Sequence, residues 1–203
     1  MPPAWDVVSG LDLRDAYLRN SLPELVPESP AIYLWRRALR APRRALSSST
    51  EFTKWLNGAM QIPIAEVRDQ RLSHFAVVDQ LTIRGAGLTP TKQHQFGPLM
   101  ATRRAREWLA KYLHDLRDLL PPLYCGETAD LAQRTRAHLS GETGFGQRLQ
   151  RPKVGISWAD LELLFYQLDR LQLRNDARAA ELRKLLELLT TTFSVAGYVS
   201  RRG

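Results

Sequence analysis

The segment PPLYCGETADLAQRTRAH, residues 121–138, gathers side chains suited to phosphate and proton chemistry. Arg134 offers a planar guanidinium with two parallel donors that stays charged, which suits a phosphate. His138 lies four residues on, so in a helix both project from one face, and an imidazole there can donate or relay a proton. Tyr124 precedes Arg134 by ten positions, and Gly126 would let the backbone approach a substrate closely. Taken one at a time, these residues also have plain structural readings. A strand tyrosine is more often a core aromatic, and an Arg–His pair on a helix is usually solvated.

Two further segments complete the pattern. Ala31-Ile32-Tyr33 is a β-prone run with a tyrosine, and Glu187 sits in an apparent C-terminal helix. In this order and spacing the residues resemble the two tyrosine motifs of the GIY-YIG nuclease superfamily, with alanine where the first motif usually has glycine. The resemblance implies a DNA endonuclease hydrolysing phosphodiester bonds, most plausibly in restriction or defence. It implies Tyr33, Tyr124, Arg134, His138 and Glu187 as catalytic residues. Tyr33 would act as general base or position the attacking water, and Glu187 (with Glu181 as fallback) would bind one Mg²⁺ or Mn²⁺. Forming a phenolate at pH 7 costs about 4 kcal/mol, so a neighbouring cation such as Arg134 must help. The family's Pro-x-x-Asn type ending would fall at Ala196–Val199, where neither proline nor asparagine occurs.

The 90 residues between Tyr33 and Tyr124 are longer than the family's usual connection, as in its restriction-enzyme branches. Their charge gives them a role. From Leu34 to Pro121 there are 15 Lys/Arg and 7 Asp/Glu, a net of +8, while the rest of the chain has 14 of each. A localised basic excess attracts a polyanion. Residues 36–121 are therefore expected to form a basic, mostly helical insertion that binds DNA within one nuclease domain spanning 1–203. Arg36, Arg37, Arg43, Arg44, Arg103 and Arg104, with Gly126, are the candidate substrate contacts.

The alternatives are a non-catalytic DNA-binding subunit of a multi-protein system and a repair or RNA-directed nuclease. Cleavage of both strands at a palindrome would favour a homodimer, and a defence role would bring partner proteins. No apolar run approaches the roughly 18 residues needed to span a bilayer, and no secretory signal stands at the N-terminus, so a cytoplasmic protein with no membrane partner is expected. One cysteine, Cys125, excludes an internal disulfide framework and is expected to be buried and inert. Asp160 and Glu162 could join Glu187 in an acidic site. His74, His94 and His114 lack metal-ligand spacing and read as structural or surface residues.

To position these residues the chain must supply strands at Ala31–Trp35, within His74–Ile83, at 123–125 and over Trp158–Leu168. Helices are expected at Leu11–Asn20, from Ser49 or Thr50 to Met60, Pro98–Leu120, Ala129–Gly141 and Asp176–Phe193. That order predicts an α+β fold, a small mixed sheet flanked by helices.

Overall fold

The structure, a computed structural model, describes residues 5–60, 65–73, 76–83, 87–150, 156–168 and 176–194. The elements run β1 (Asp6–Ser9), α1 (Gly10–Leu18), β2 (Ala31–Arg37), α2 (Ser49–Met60), β3 (Ala65–Ser73), β4 (Ala76–Ile83), α3 (Pro90–Leu99), α4 (Arg103–Leu116), β5 (Tyr124–Thr128), α5 (Leu131–Ser140), α6 (Gly144–Leu149), β6 (Leu161–Gln167) and α7 (Asp176–Ser194). The class is α+β. Strands β1, β6, β2 and β5 form one sheet in that order, and all its pairings are antiparallel, where a mixed sheet was expected. No described helix is long and apolar enough to cross a membrane.

The central strands explain the core. β6 buries five consecutive residues, Leu161–Phe165, because helices or other elements cover both of its faces. The pleat sends alternate residues to opposite faces. Tyr33 pairs with Gly126 on one side and Phe165 on the other, while Trp35 pairs with Tyr124 and Leu163, so these share one face. Against that face pack Leu13 and Ala16 of α1, Leu131, Ala132 and Leu139 of α5, and Phe145 and Leu149 of α6, in one apolar cluster. Ile32, Leu34, Glu127, Glu162 and Leu164 belong to the opposite face. α7 packs along β5 and β2, where Arg183 Nε donates to Glu127 at 3.0 Å.

Several boundaries differ from expectation for identifiable reasons. The helix expected over Pro98–Leu120 is two helices. Thr102 caps the second by accepting from the Ala105 amide at 3.2 Å, and Arg106 fastens the break. Its guanidinium, only 5% exposed, donates to the carbonyls of Met100, Ala101 and Leu46 at 2.8, 2.8 and 3.0 Å. Leu99 is exposed because it ends α3. The cap of α2 is Ser48, whose hydroxyl accepts from the Glu51 amide at 3.1 Å, rather than Ser49 or Thr50. Trp158–Asp160 form a 3₁₀ turn closed by a Ser157–Asp160 capping box before β6 begins.

The stretch between β2 and β5 contains α2, α3, α4 and the antiparallel β3–β4 hairpin. The leucines of α7 are only partly covered: Leu182 and Leu186 are half-buried, whereas Leu185 and Leu189 are exposed. His74, the Ala196–Val199 ending and the side chain of Phe193 lie outside the described residues.

Candidate functional site: a buried tyrosine–histidine–arginine cluster

The site is built where the centre of β2 faces α5. Asp130 caps α5 by accepting from the Gln133 amide at 2.8 Å, and Gly141 ends it in the left-handed region at φ 82°. Between these caps Arg134 and His138 project one turn apart toward the sheet. Arg134 Nε donates to Tyr33 Oη at 3.1 Å, and its Nη2 reaches Tyr124 Oη at 3.4 Å. Tyr33 Oη lies 2.9 Å from His138 Nε2, and His138 Nδ1 lies 2.6 Å from Thr143 Oγ1. Thr143 Oγ1 also accepts from the Gly146 amide at 3.0 Å and so caps α6.

The donors and acceptors fix the protonation pattern. Tyr33 Oη accepts from Arg134, so its own proton is free to go to Nε2 of a neutral His138. The imidazole proton then sits on Nδ1 and points at Thr143. His138 is fully buried, with the rings of Tyr33, Trp35, Tyr124 and Phe145 5.3–6.2 Å away. Burial, and then the Arg134 charge, push its pKa down to about 3, in keeping with the neutral form. Burial first, and Tyr124 second, raise the Tyr33 phenol well above its ordinary value near 10, against the lowering effect of Arg134. Burial alone would weaken the Arg134 cation, but the phenol oxygens of Tyr33 and Tyr124 outweigh it, and the group holds its proton more firmly than usual.

These directions decide what the cluster can do as it stands. Both directions oppose transfer of the Tyr33 proton to His138, since the phenol holds its proton more firmly than usual and the imidazole takes one less readily. Tyr33 is therefore a neutral hydrogen-bonding post between Arg134 and His138. The cluster's one cation is Arg134, and it is only half-buried.

Gly126 is needed for a reason other than substrate approach. A Cβ there would lie 2.5 Å from Tyr33 Oη and 2.7 Å from Cζ. The phenol already occupies the space that the missing side chain leaves. The structure thus brings Tyr33, Tyr124, Gly126, Arg134 and His138 together. Thr143, absent from the sequence-based candidates, completes them; its legible signal was a threonine immediately preceding a short helical run.

The basic candidates divide. Arg36 is turned inward: Nε bonds Glu162 Oε1 at 2.6 Å and Nη1 bonds Asp118 at 2.8 Å. Glu162 is fully buried and also pairs with Arg117 at 3.0 Å, so it balances two arginines. Arg37 is buried, with Nη1 donating to the Ala59 carbonyl at 2.5 Å. Burial lowers its pKa, and Asp160 partly opposes this. Arg43, Arg44, Arg103 and Arg104 are exposed. Of these, Arg44 pairs with Glu51 and Arg103 with Glu107. Cys125 is buried, as expected. His94 is exposed, and His114 is half-buried against the Ala38 carbonyl and Arg117.

A hard divalent ion asks for carboxylate oxygens, and Mg²⁺ needs as few as one or two when it keeps its waters. The cluster's own hydrogen-bonding groups are phenols, a guanidinium, an imidazole and a hydroxyl. Among the described residues no group of three or more His, Cys, Asp or Glu could hold a metal. Glu187 is half-buried on α7 and Glu181 is exposed. That helix is anchored through Arg183 to Glu127, on the sheet face opposite Tyr33. The cluster itself therefore offers a metal ion no carboxylate. No protein-family model, curated protein or solved structure matches this chain.

Proposed function

We propose that this protein is a DNA endonuclease of the GIY-YIG type, in which Arg134 takes the scissile phosphate and the phenols of Tyr33 and Tyr124 fix its guanidinium. The observation that carries the reading is the convergence of Tyr33, Tyr124, Arg134 and His138 from β2, β5 and α5 into one hydrogen-bonded cluster. Tyr33 and His138 are 105 residues apart in sequence, so local structure does not account for their meeting. On this reading Arg134 stabilises charge on the phosphate oxygens, and Tyr33 acts through it as a positioning residue. Restriction or defence, with the partner proteins such systems employ, is the setting the resemblance suggests. Mg²⁺ or Mn²⁺ held by Glu187 belongs to the same proposal.

A second reading, a non-catalytic DNA-binding subunit, is favoured by the complete burial of Tyr33 and His138. Plasmid cleavage with and without Mg²⁺ or Mn²⁺, for wild type, Arg134→Ala and Glu187→Ala, separates the two. Metal-dependent nicking abolished by both substitutions is the expected result. Binding without cutting, across duplex, branched and single-stranded DNA and RNA, would overturn the nuclease in favour of the subunit. A preference for RNA or branched DNA would redirect the proposal to a repair or RNA-directed enzyme.

A further inference from the structure

One exposed feature belongs neither to the core nor to the tyrosine cluster. Trp108 and Tyr112, one turn apart on α4, lie with ring planes only 9° apart and centroids 5.9 Å apart. Trp108 is 67% and Tyr112 52% exposed. Burying such rings is worth a few kcal/mol each, and single exposed leucines are ordinary, but two parallel rings held in register toward solvent are not. A helix places residues i, i+4 and i+8 along one face, so Arg104, Trp108 and Tyr112 form a continuous row, with Lys111 beside it. Arg104 is exposed and makes no ion pair among the described residues. Among the described residues Lys111 pairs only with the exposed Asp115, at 2.5 Å. The opposite side of α4 is tied down by the inward guanidinium of Arg106, so the aromatic row has a rigid footing.

We infer that the Trp108–Tyr112 row is a stacking platform for unpaired nucleobases, with Arg104 and Lys111, which lie along one flank of the row, meeting the phosphates. Unpaired bases are flat and apolar on their faces, and each is joined to an anion, which is the complement of parallel rings flanked by cations. An intact duplex hides its base faces and would meet only the cations. The location inside the stretch that carries the chain's entire excess of +8 supports a polyanionic occupant. The inference rests on the nucleic-acid part of the proposed function and is independent of whether Tyr33 and Arg134 support cleavage.

The test is binding of a fluorescently labelled oligothymidylate, of the same strand in a duplex, and of phosphatidylserine vesicles to the full chain, by anisotropy or co-sedimentation. Wild type is compared with Trp108→Ala, Tyr112→Ala and Arg104→Ala, surface changes whose folding circular dichroism verifies. Each aromatic substitution should weaken single-strand binding roughly 5- to 100-fold and leave duplex binding within about twofold. Arg104→Ala should weaken both and flatten their salt dependence. Single-strand binding that survives both aromatic substitutions would overturn the platform while leaving the nucleic-acid reading intact. Absence of binding to any nucleic acid would overturn both. Vesicle binding that requires Trp108 and Tyr112, without oligonucleotide binding, would assign the row to a membrane surface instead.

Discussion

Mild acid should destabilise this fold through His138 before carboxylates begin to titrate. His138 is fully buried and its pKa is pushed down to about 3, by burial first and by Arg134 second. In the unfolded chain the same imidazole takes its proton near 6.5. Because the folded value is the lower one, the unfolded state binds more protons below pH 6.5. The stabilisation is therefore complete above 6.5 and is lost progressively as the pH falls toward about 3. Each pH unit within that window removes about 1.4 kcal/mol, so a change from pH 7.5 to 5.0 removes about 2 kcal/mol. That is a large share of the 5–15 kcal/mol typical of a domain. Urea unfolding at the two pH values should be compared for wild type and His138→Gln. The glutamine amide oxygen can still accept from Tyr33 but never ionises, and the other three histidines are common to both proteins. Wild type should lose about 2 kcal/mol more than the variant. Equal losses would mean that His138 is not a buried neutral group and would refute the proton assignment of the whole cluster.

Gly126→Ala should cost about 1–3 kcal/mol by overpacking, because its Cβ would press on a phenol that has no exposed surface to retreat into; an unchanged Tm would contradict the packing described. Glu162→Gln should destabilise by about 3 kcal/mol in denaturant, since it strips the buried carboxylate from Arg36 and Arg117, whose side chains are 14% and 17% exposed. Among the arginines, Arg36→Ala and Arg37→Ala should lower the unfolding midpoint. Arg43→Ala and Arg104→Ala should leave stability within about 0.5 kcal/mol, and each should reduce the salt slope of DNA binding by about 1. The reverse pattern would show that the inward arginines are the DNA contacts.

The strands and helices around the site were legible because each had a local signature. AIYLW is β-prone, Gly141 follows a periodic run as a C-cap, and LELLF is apolar at every position but Glu162. Signals failed where chemistry was local but the decision was tertiary. β3, with the sequence AEVRDQRLS, is too polar to declare itself, and it exists as the partner of β4. β1 is four residues on a sheet edge, held by pairing with β6. The break at Met100–Thr102 was masked by apolar spacing that continues across it, although Thr102 followed by Arg-Arg-Ala offers a cap. Arg36 and Arg37 looked like surface cations because they are charged and adjacent. On a strand, adjacent residues point to opposite faces, and β2 is covered on both. The cluster itself was legible as residue types in order, whereas the burial of Tyr33 and His138 was not.

β2 is where the basic stretch and the cluster become one structure. From a single strand, Tyr33 reaches α5, Arg36 reaches Glu162 and Asp118 beyond the end of α4, and Arg37 reaches the Ala59 carbonyl near the end of α2. Arg36, Arg37, Arg106 and Arg117 are therefore 4 of the 15 cations between Leu34 and Pro121 that bind the protein to itself. The charge that would attract a polyanion is smaller than composition suggests and lies on Arg43, Arg44, Arg103, Arg104 and their exposed neighbours. Within the cluster the same sorting holds. Tyr33 and His138 are sealed, and Tyr124 and Arg134 are half-buried, so on the proposed function a phosphate would meet Arg134 first. The guanidinium it meets is already oriented through Nε and Nη2, and Nη1 makes no hydrogen bond among the described residues. If the proposed function holds, such a site would take the phosphate on one preset donor, with its inner residues holding that donor still.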